Sequence, residues 1–125
     1  MEKIDRNLII VDMCSRIPYC VKVCYEHPKT YKDAVKELTY DTDIYELVTR
    51  YHGLCYLRPI SSMTEEELKK IMEIDERRGV FSSRHLTLHL DGEVIDYLNR
   101  RMLDWRGLIP IGLALEAPEG MYNLK

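Results

Sequence analysis

The sequence predicts an α+β fold, a small single domain spanning residues 1–125 in which helices surround a short, mostly antiparallel sheet. Three observations carry this expectation. Apolar residues recur at helical spacing in some segments and alternate in others, so helix and strand signals are interleaved along the chain. Apolar residues make up 46% and charged residues 31% of 125 residues, which lets a chain of this length bury roughly two thirds of its unfolded surface without staples. No apolar run approaches the roughly 18 residues that a bilayer span needs.

The elements follow in order. Asp5 can cap a first helix with Leu8, Val11 and Cys14 along one side, ended by Pro18. Tyr19 to Tyr25 reads as a strand, because Val21, Val23 and Tyr25 alternate with Cys20, Lys22 and Cys24. Glu26-His27-Pro28-Lys29 is the turn after it. Residues 31 to 51 support two readings. Tyr31, Ala34, Val35 and Leu38, then Ile44, Leu47, Val48 and Tyr51, recur at helical spacing, whereas the β formers among them and Asp41-Thr42-Asp43 suit a hairpin. Leu54 to Arg58 is a short extended piece closed by Pro59, whose ring keeps Arg58 out of the helical region.

The sharpest local signal is Thr64-Glu65-Glu66-Glu67-Leu68. Thr64 and Glu67 make a capping box, Met63 and Leu68 hold the staple positions, and three glutamates complement the positive end of a helix. Its stripe is Leu68, Ile71, Met72 and Asp75, with Ile74 also apolar, and Gly79 stops it after Arg77-Arg78. His85 to Leu90 alternates as a strand. Asp91-Gly92 opens another helix with Val94, Ile95, Leu98, Met102 and Trp105 along one face, ended by Gly107. Residues 108 to 115 are a buried crossing segment or short strand, limited by Pro110 and Gly112. The tail from Glu116 wraps the surface, pinned by Met121 and Tyr122.

Charge and chemistry exclude several function classes. Eighteen basic and 21 acidic residues give a net charge of -3, and Arg77, Arg78, Arg100, Arg101 and Arg106 are interleaved with carboxylates. Nucleic-acid binding needs clustered cations facing phosphates, so it ranks last. Cys14, Cys20, Cys24 and Cys55 are spaced unlike a zinc site, and Cys20 and Cys24 on one strand face would stand roughly 13 Å apart. They read as reduced packing residues of a cytoplasmic protein. The early acidic residues and short apolar stretch of the N-terminal region do not fit a signal peptide.

His85 and His89 on a strand cannot share an ion, and Cys55 near His52 lacks the surroundings of a nucleophile. No phosphate or dinucleotide loop is present. The expectation is a non-enzymatic protein with no catalytic residue, no metal site, no cofactor and no membrane association.

Aromatic usage points toward recognition. Nine tyrosines stand against one Phe and one Trp, and tyrosine suits half-buried binding positions. Tyr56-Leu57-Arg58-Pro59 and Asp104-Trp105-Arg106-Gly107 each set a ring near a guanidinium, a pairing common in interface hot spots. The competing reading has Trp105 filling the core and Arg106 pairing with Asp104 or capping a helix end.

The stretches from Tyr56 to Glu67, Asp104 to Ile109 and Gly112 to Tyr122, together with Ile17-Pro18-Tyr19 to Val23, resemble a family of small uncharacterised proteins carried by gut-bacterial prophages and mobile elements. The resemblance covers most of the chain and is poor over residues 26 to 53. Family members usually have Gly in place of Cys20 and Tyr in place of Trp105. The resemblance implies a context, a bacterial host cell, and transfers no functional residue. The leading expectation is a non-catalytic binding module that meets a host or phage protein through Tyr56, Arg58, Ser61, Ser62, Trp105 and Arg106. The alternative is a small-ligand binder that sequesters a nucleotide signal with Tyr56, Arg58, Ser61, Ser62 and Arg106.

Overall fold

The computed structural model describes residues 2–77 and 92–124 and, of 75–77, the backbone only, and local capping and turn chemistry divide these described residues into four α-helices and four strands. The expected strand from His85 to Leu90 and the Gly79 stop lie outside the described residues. The helices and the mostly antiparallel sheet form an α+β fold.

Helix α1 spans Lys3–Arg16 and starts after Glu2, not at Asp5. Its buried face is Ile9, Asp12, Met13 and Arg16, at the spacing of one helix side. The expected stripe is therefore displaced by one residue: Leu8 is half-buried, and Val11 and Cys14 are exposed. The physical reason is an ion pair between Asp12 and Arg16, four residues apart, that completes the inner face with charged groups. A 3-10 turn over Ile17–Tyr19 follows, and Cys20 sits in the left-handed region at φ 61. Strand β1 therefore begins later than expected, spanning Lys22–Glu26, and Cys20 does not share it with Cys24.

Residues 31 to 51 realise half of each reading. Strand β2, Asp33–Glu37, pairs antiparallel with β1 from Lys22↔Glu37 to Glu26↔Asp33. Helix α2, Ile44–Thr49, then starts because the Asp43 side chain accepts from the Glu46 amide at 3.0 Å. Asp41-Thr42-Asp43 thus opens a helix and does not close a hairpin. Strand β3, Leu54–Leu57, pairs antiparallel with β1, and strand β4, Leu115–Glu116, pairs parallel with β3, giving the order β2-β1-β3-β4.

Helix α3, Glu65–Arg77, opens on the expected capping box. The Glu67 amide donates to Thr64 Oγ1 at 3.1 Å, and the Thr64 amide donates to Glu67 Oε1 at 2.9 Å. Glu67, Ile71 and Ile74 are buried, whereas Leu68 is exposed. Helix α4 spans Gly92–Arg100, so Met102 and Trp105 lie beyond it. It ends early because the chain turns back to pair with Arg58, whose amide donates to the Met102 carbonyl at 2.7 Å and whose carbonyl accepts from the Asp104 amide at 2.9 Å.

Two apolar clusters result. One joins α1, α2 and the inner sheet face through Ile9, Met13, Val23, Cys55 and Leu57. The other joins α3 to α4 through Ile71, Ile74, Val94, Leu98 and Leu103.

Candidate binding surface

Arg58 departs from the surface role expected of it. It is 7% exposed, and its guanidinium grips Glu67 with two bonds of 2.7 Å. Its remaining Nη bonds go to the carbonyls of Arg101 at 3.0 Å and Ser62 at 3.1 Å. Arg101 adds a third bond to Glu67 at 2.7 Å. Burial works against ionising Glu67, but the bonds from Arg58, the Thr64 amide and Arg101 outweigh it and hold the carboxyl at about 2. Arg58 is a structural clamp between β3 and the start of α3.

The Asp104 to Gly107 segment is also knitted inward. Buried Asp104 accepts from the amides of Leu108 at 2.7 Å and Ile109 at 2.9 Å, which fixes the turn after it. Trp105 packs on the α3–α4 cluster, and its indole N–H donates to Asn99 Oδ1 at 2.8 Å. The Arg106 guanidinium lies 4.2 Å from the Trp105 ring centre and donates to Asp12 Oδ1 at 3.3 Å. Asp12, not Asp104, is thus its ionic partner. Trp105 and Arg106 stay partly accessible, with the Trp105 indole N–H and one Arg106 Nη engaged.

Tyr56 keeps its expected place at a surface. Cross-strand partners share a face and successive residues alternate, so the registers Val23↔Cys55 and Cys24↔Leu54 sort the sheet into two sides. Val23, Cys55 and Leu57 face α1. Cys24, Leu54 and Tyr56 fall on the outer side and are half-buried, Leu54 also packing against the inner core; Val35, paired with Cys24, is 53% exposed. Lys22, Glu26, Asp33 and Glu37 share this outer side around them. Partial burial, and then a hydrogen bond with the Cys24 thiol, raise the Tyr56 hydroxyl above its ordinary value.

The tail, expected to wrap the surface, borders this face. The Tyr122 hydroxyl accepts from the Lys22 amide at 2.9 Å and donates to the Tyr56 carbonyl at 2.7 Å, while the Met121 carbonyl accepts from Lys22 Nζ at 2.9 Å. Between the tail and residues 58–62 lies a cleft of about 430 Å³ walled by Arg58, Pro59, Ser62, Glu116, Pro118 and Glu119. Ser61 and Ser62 are exposed, with Ser62 Oγ donating to the Pro59 carbonyl at 2.7 Å.

The six expected residues do not form one site. Arg58 and Ser62 share the cleft, Tyr56 lies on the outer sheet face, Arg106 is tied to α1 through Asp12, and Trp105 packs on the α3–α4 cluster. Sequence reasoning missed Cys24, Leu54 and Val35 as companions of Tyr56, because strand register brings them together. It also missed Asp12, Arg16 and Arg101 as partners of the buried network.

Among the described residues no group of three or more His, Cys, Asp or Glu is placed to hold a metal ion, and no helix is long and apolar enough to cross a membrane. No family model, curated protein or solved structure matches the chain.

Proposed function

We propose that the protein is a non-catalytic binding module that works through a protein partner seated on the outer face of the sheet around Tyr56. One observation carries the reading. The inner face is packed against α1, while the outer face offers a half-exposed apolar centre of Cys24, Leu54, Tyr56 and Val35 inside a charged rim. That is the anatomy of a protein interface. In the prophage or mobile-element context that the resemblance implies, the partner is a host or phage protein met in the bacterial cytoplasm. A nucleotide signal fits less well, since Arg58 spends its bonds on Glu67 and two carbonyls. Arg106 is likewise engaged by Asp12 and the Trp105 ring.

The test compares wild type with Tyr56→Ala in affinity capture from host lysate, followed by titration of the purified captured protein. A central tyrosine anchor is worth about 2 kcal/mol, so the variant should bind about 30-fold more weakly with its melting temperature little changed. Unchanged binding by Tyr56→Ala, or a rise in melting temperature with nucleotides in place of a protein partner, overturns the reading.

A further inference from the structure

Among the described residues strand β2 ends the sheet, and nothing pairs with its outer edge. The Leu38 amide donates to the Val21 carbonyl at 2.9 Å and the His27 amide to the Lys32 carbonyl at 2.9 Å. In an antiparallel ladder the bonded pairs alternate, so Ala34 and Lys36 turn their backbone groups toward β1. Asp33, Val35 and Glu37 turn theirs away. Among the described residues nothing bonds to these three edge amides or carbonyls. The strand carries neither proline nor glycine, and no bulge interrupts its register with β1. Of the devices that usually blunt an edge it uses charge alone, at Asp33, Lys36 and Glu37.

Charge at this edge is divided by face. Asp33, Glu37 and Glu26 share the outer side with Lys22 alone, while Lys36 lies on the other side, Lys32 precedes the strand and Glu46 is paired with Arg50. Asp41, Asp43 and Glu46 line a cleft of about 410 Å³ that opens beside Lys36. Tyr31 and Tyr40, 75% and 81% exposed, stand beyond the two ends of the strand and offer ring faces to cations.

A second copy of the chain does not suit the edge. A two-fold that keeps the sheet faces aligned must set one residue opposite itself. Centred on Val35 it opposes Asp33 to Glu37 twice; centred on Ala34 it opposes Lys32 to Lys36; centred on Lys36 it opposes two lysines. Like charges directly across a ladder are destabilising.

We infer that β2 accepts an extended, basic segment of the protein partner as a fifth strand, with an apolar residue opposite Val35 and Lys or Arg two residues to either side, opposite Asp33 and Glu37. This pattern is palindromic, so it fits a parallel or antiparallel addition. Main-chain bonds supply the attachment and the alternate side chains supply the selectivity. The inference rests on the protein-binding reading above and names the chemistry of what binds.

The probe is the capped peptide Thr-Lys-Thr-Val-Thr-Lys-Thr, titrated into the isotopically labelled full chain and followed by amide NMR. The expected result is shifts and slowed exchange at the Asp33, Val35 and Glu37 amides, with affinity falling as salt rises. A peptide with Glu for both lysines should bind at least about tenfold more weakly. The double variant Asp33→Lys/Glu37→Lys should prefer the Glu peptide, a reversal that loss of folding cannot produce. Val35→Pro removes one outward N–H, leaves the β1–β2 ladder bonds intact and should abolish the shifts.

Equal affinity for both peptides, shifts confined to other residues, or no shift at all overturns the inference. If the peptides fail while Tyr56→Ala still loses the captured protein, the edge inference falls and the protein-binding reading stands. If the peptides behave as expected and Tyr56→Ala binds the captured protein normally, the edge stands and the Tyr56 face falls.

Discussion

Two buried carboxylates, Glu67 and Asp12, are each held by two arginines, and they do different amounts of structural work. Glu67 takes three guanidinium bonds of 2.7 Å and one amide bond of 2.9 Å. The Arg58 that grips it also closes the carbonyls of Ser62 and Arg101. Asp12 takes longer bonds, 3.0 and 3.1 Å from Arg16 and 3.3 Å from Arg106. Arg16 closes only the Leu103 carbonyl, at 2.9 Å, and its Nη1 is buried without a partner among the described residues. A buried ion pair is costly to desolvate, so its net value depends on how many other polar groups it satisfies. On that count the Glu67 cluster stabilises the fold, and the Asp12 cluster merely avoids a penalty.

The largest effect should come from Glu67→Ala, which strands a buried guanidinium and removes half of a capping box. We expect a loss of about 4 kcal/mol in urea unfolding. The acid limb sharpens the point. The folded-state value of about 2 lies below the ordinary 4.5, so the stabilisation is complete above pH 4.5 and is lost as pH falls from there through 2. The depression corresponds to about 3 kcal/mol. Glu67→Gln should flatten the fall in stability across that window; an unchanged acid limb would show that the carboxylate is not the titrating group.

Next in size, Asp12→Ala should cost about 3 kcal/mol, because Arg16 is left buried and uncompensated. The two clusters should then diverge. Asp12→Leu/Arg16→Met, which replaces the pair by apolar groups of similar length, should recover to within about 1 kcal/mol of wild type. Glu67→Leu/Arg58→Met should stay destabilised, since the Thr64 amide and two carbonyls lose their partners as well. Equal recovery of both double variants, read from chemical denaturation midpoints, would erase the distinction drawn here.

The same contrast explains what the sequence could reveal. The Thr64–Glu67 box was legible because its logic is local, three residues apart. The buried alternation of Val21 and Val23 and the anchoring by Tyr122 were legible for similar reasons. That Glu67 also receives Arg58 and Arg101 was not, since those contacts span 9 and 34 residues. The face of α1 was misjudged because charged residues are normally counted outside, and here Asp12 and Arg16 neutralise each other inside. Helix α4 stops early for a non-local reason, the pairing of its exit with Arg58. Tyr56 stood out as a polar aromatic, whereas Cys24 and Val35 join it only through strand register.

The smallest expected effect concerns the turn that delays β1. Cys20 holds φ 61, with its amide donating to the Ile17 carbonyl at 3.1 Å. A side chain in this left-handed conformation costs about 1–2 kcal/mol, and glycine avoids that cost while giving back up to about 1 kcal/mol through its freer unfolded chain. Cys20→Gly should therefore stabilise the protein by about 0.5–1 kcal/mol, seen as a higher urea midpoint at unchanged slope. Cys20→Ala is the control, because it removes the thiol and keeps the strain, and it should leave the midpoint where it was. A gain shared by both variants would assign the effect to the exposed sulfur; a gain confined to glycine would assign it to the backbone, as the geometry requires.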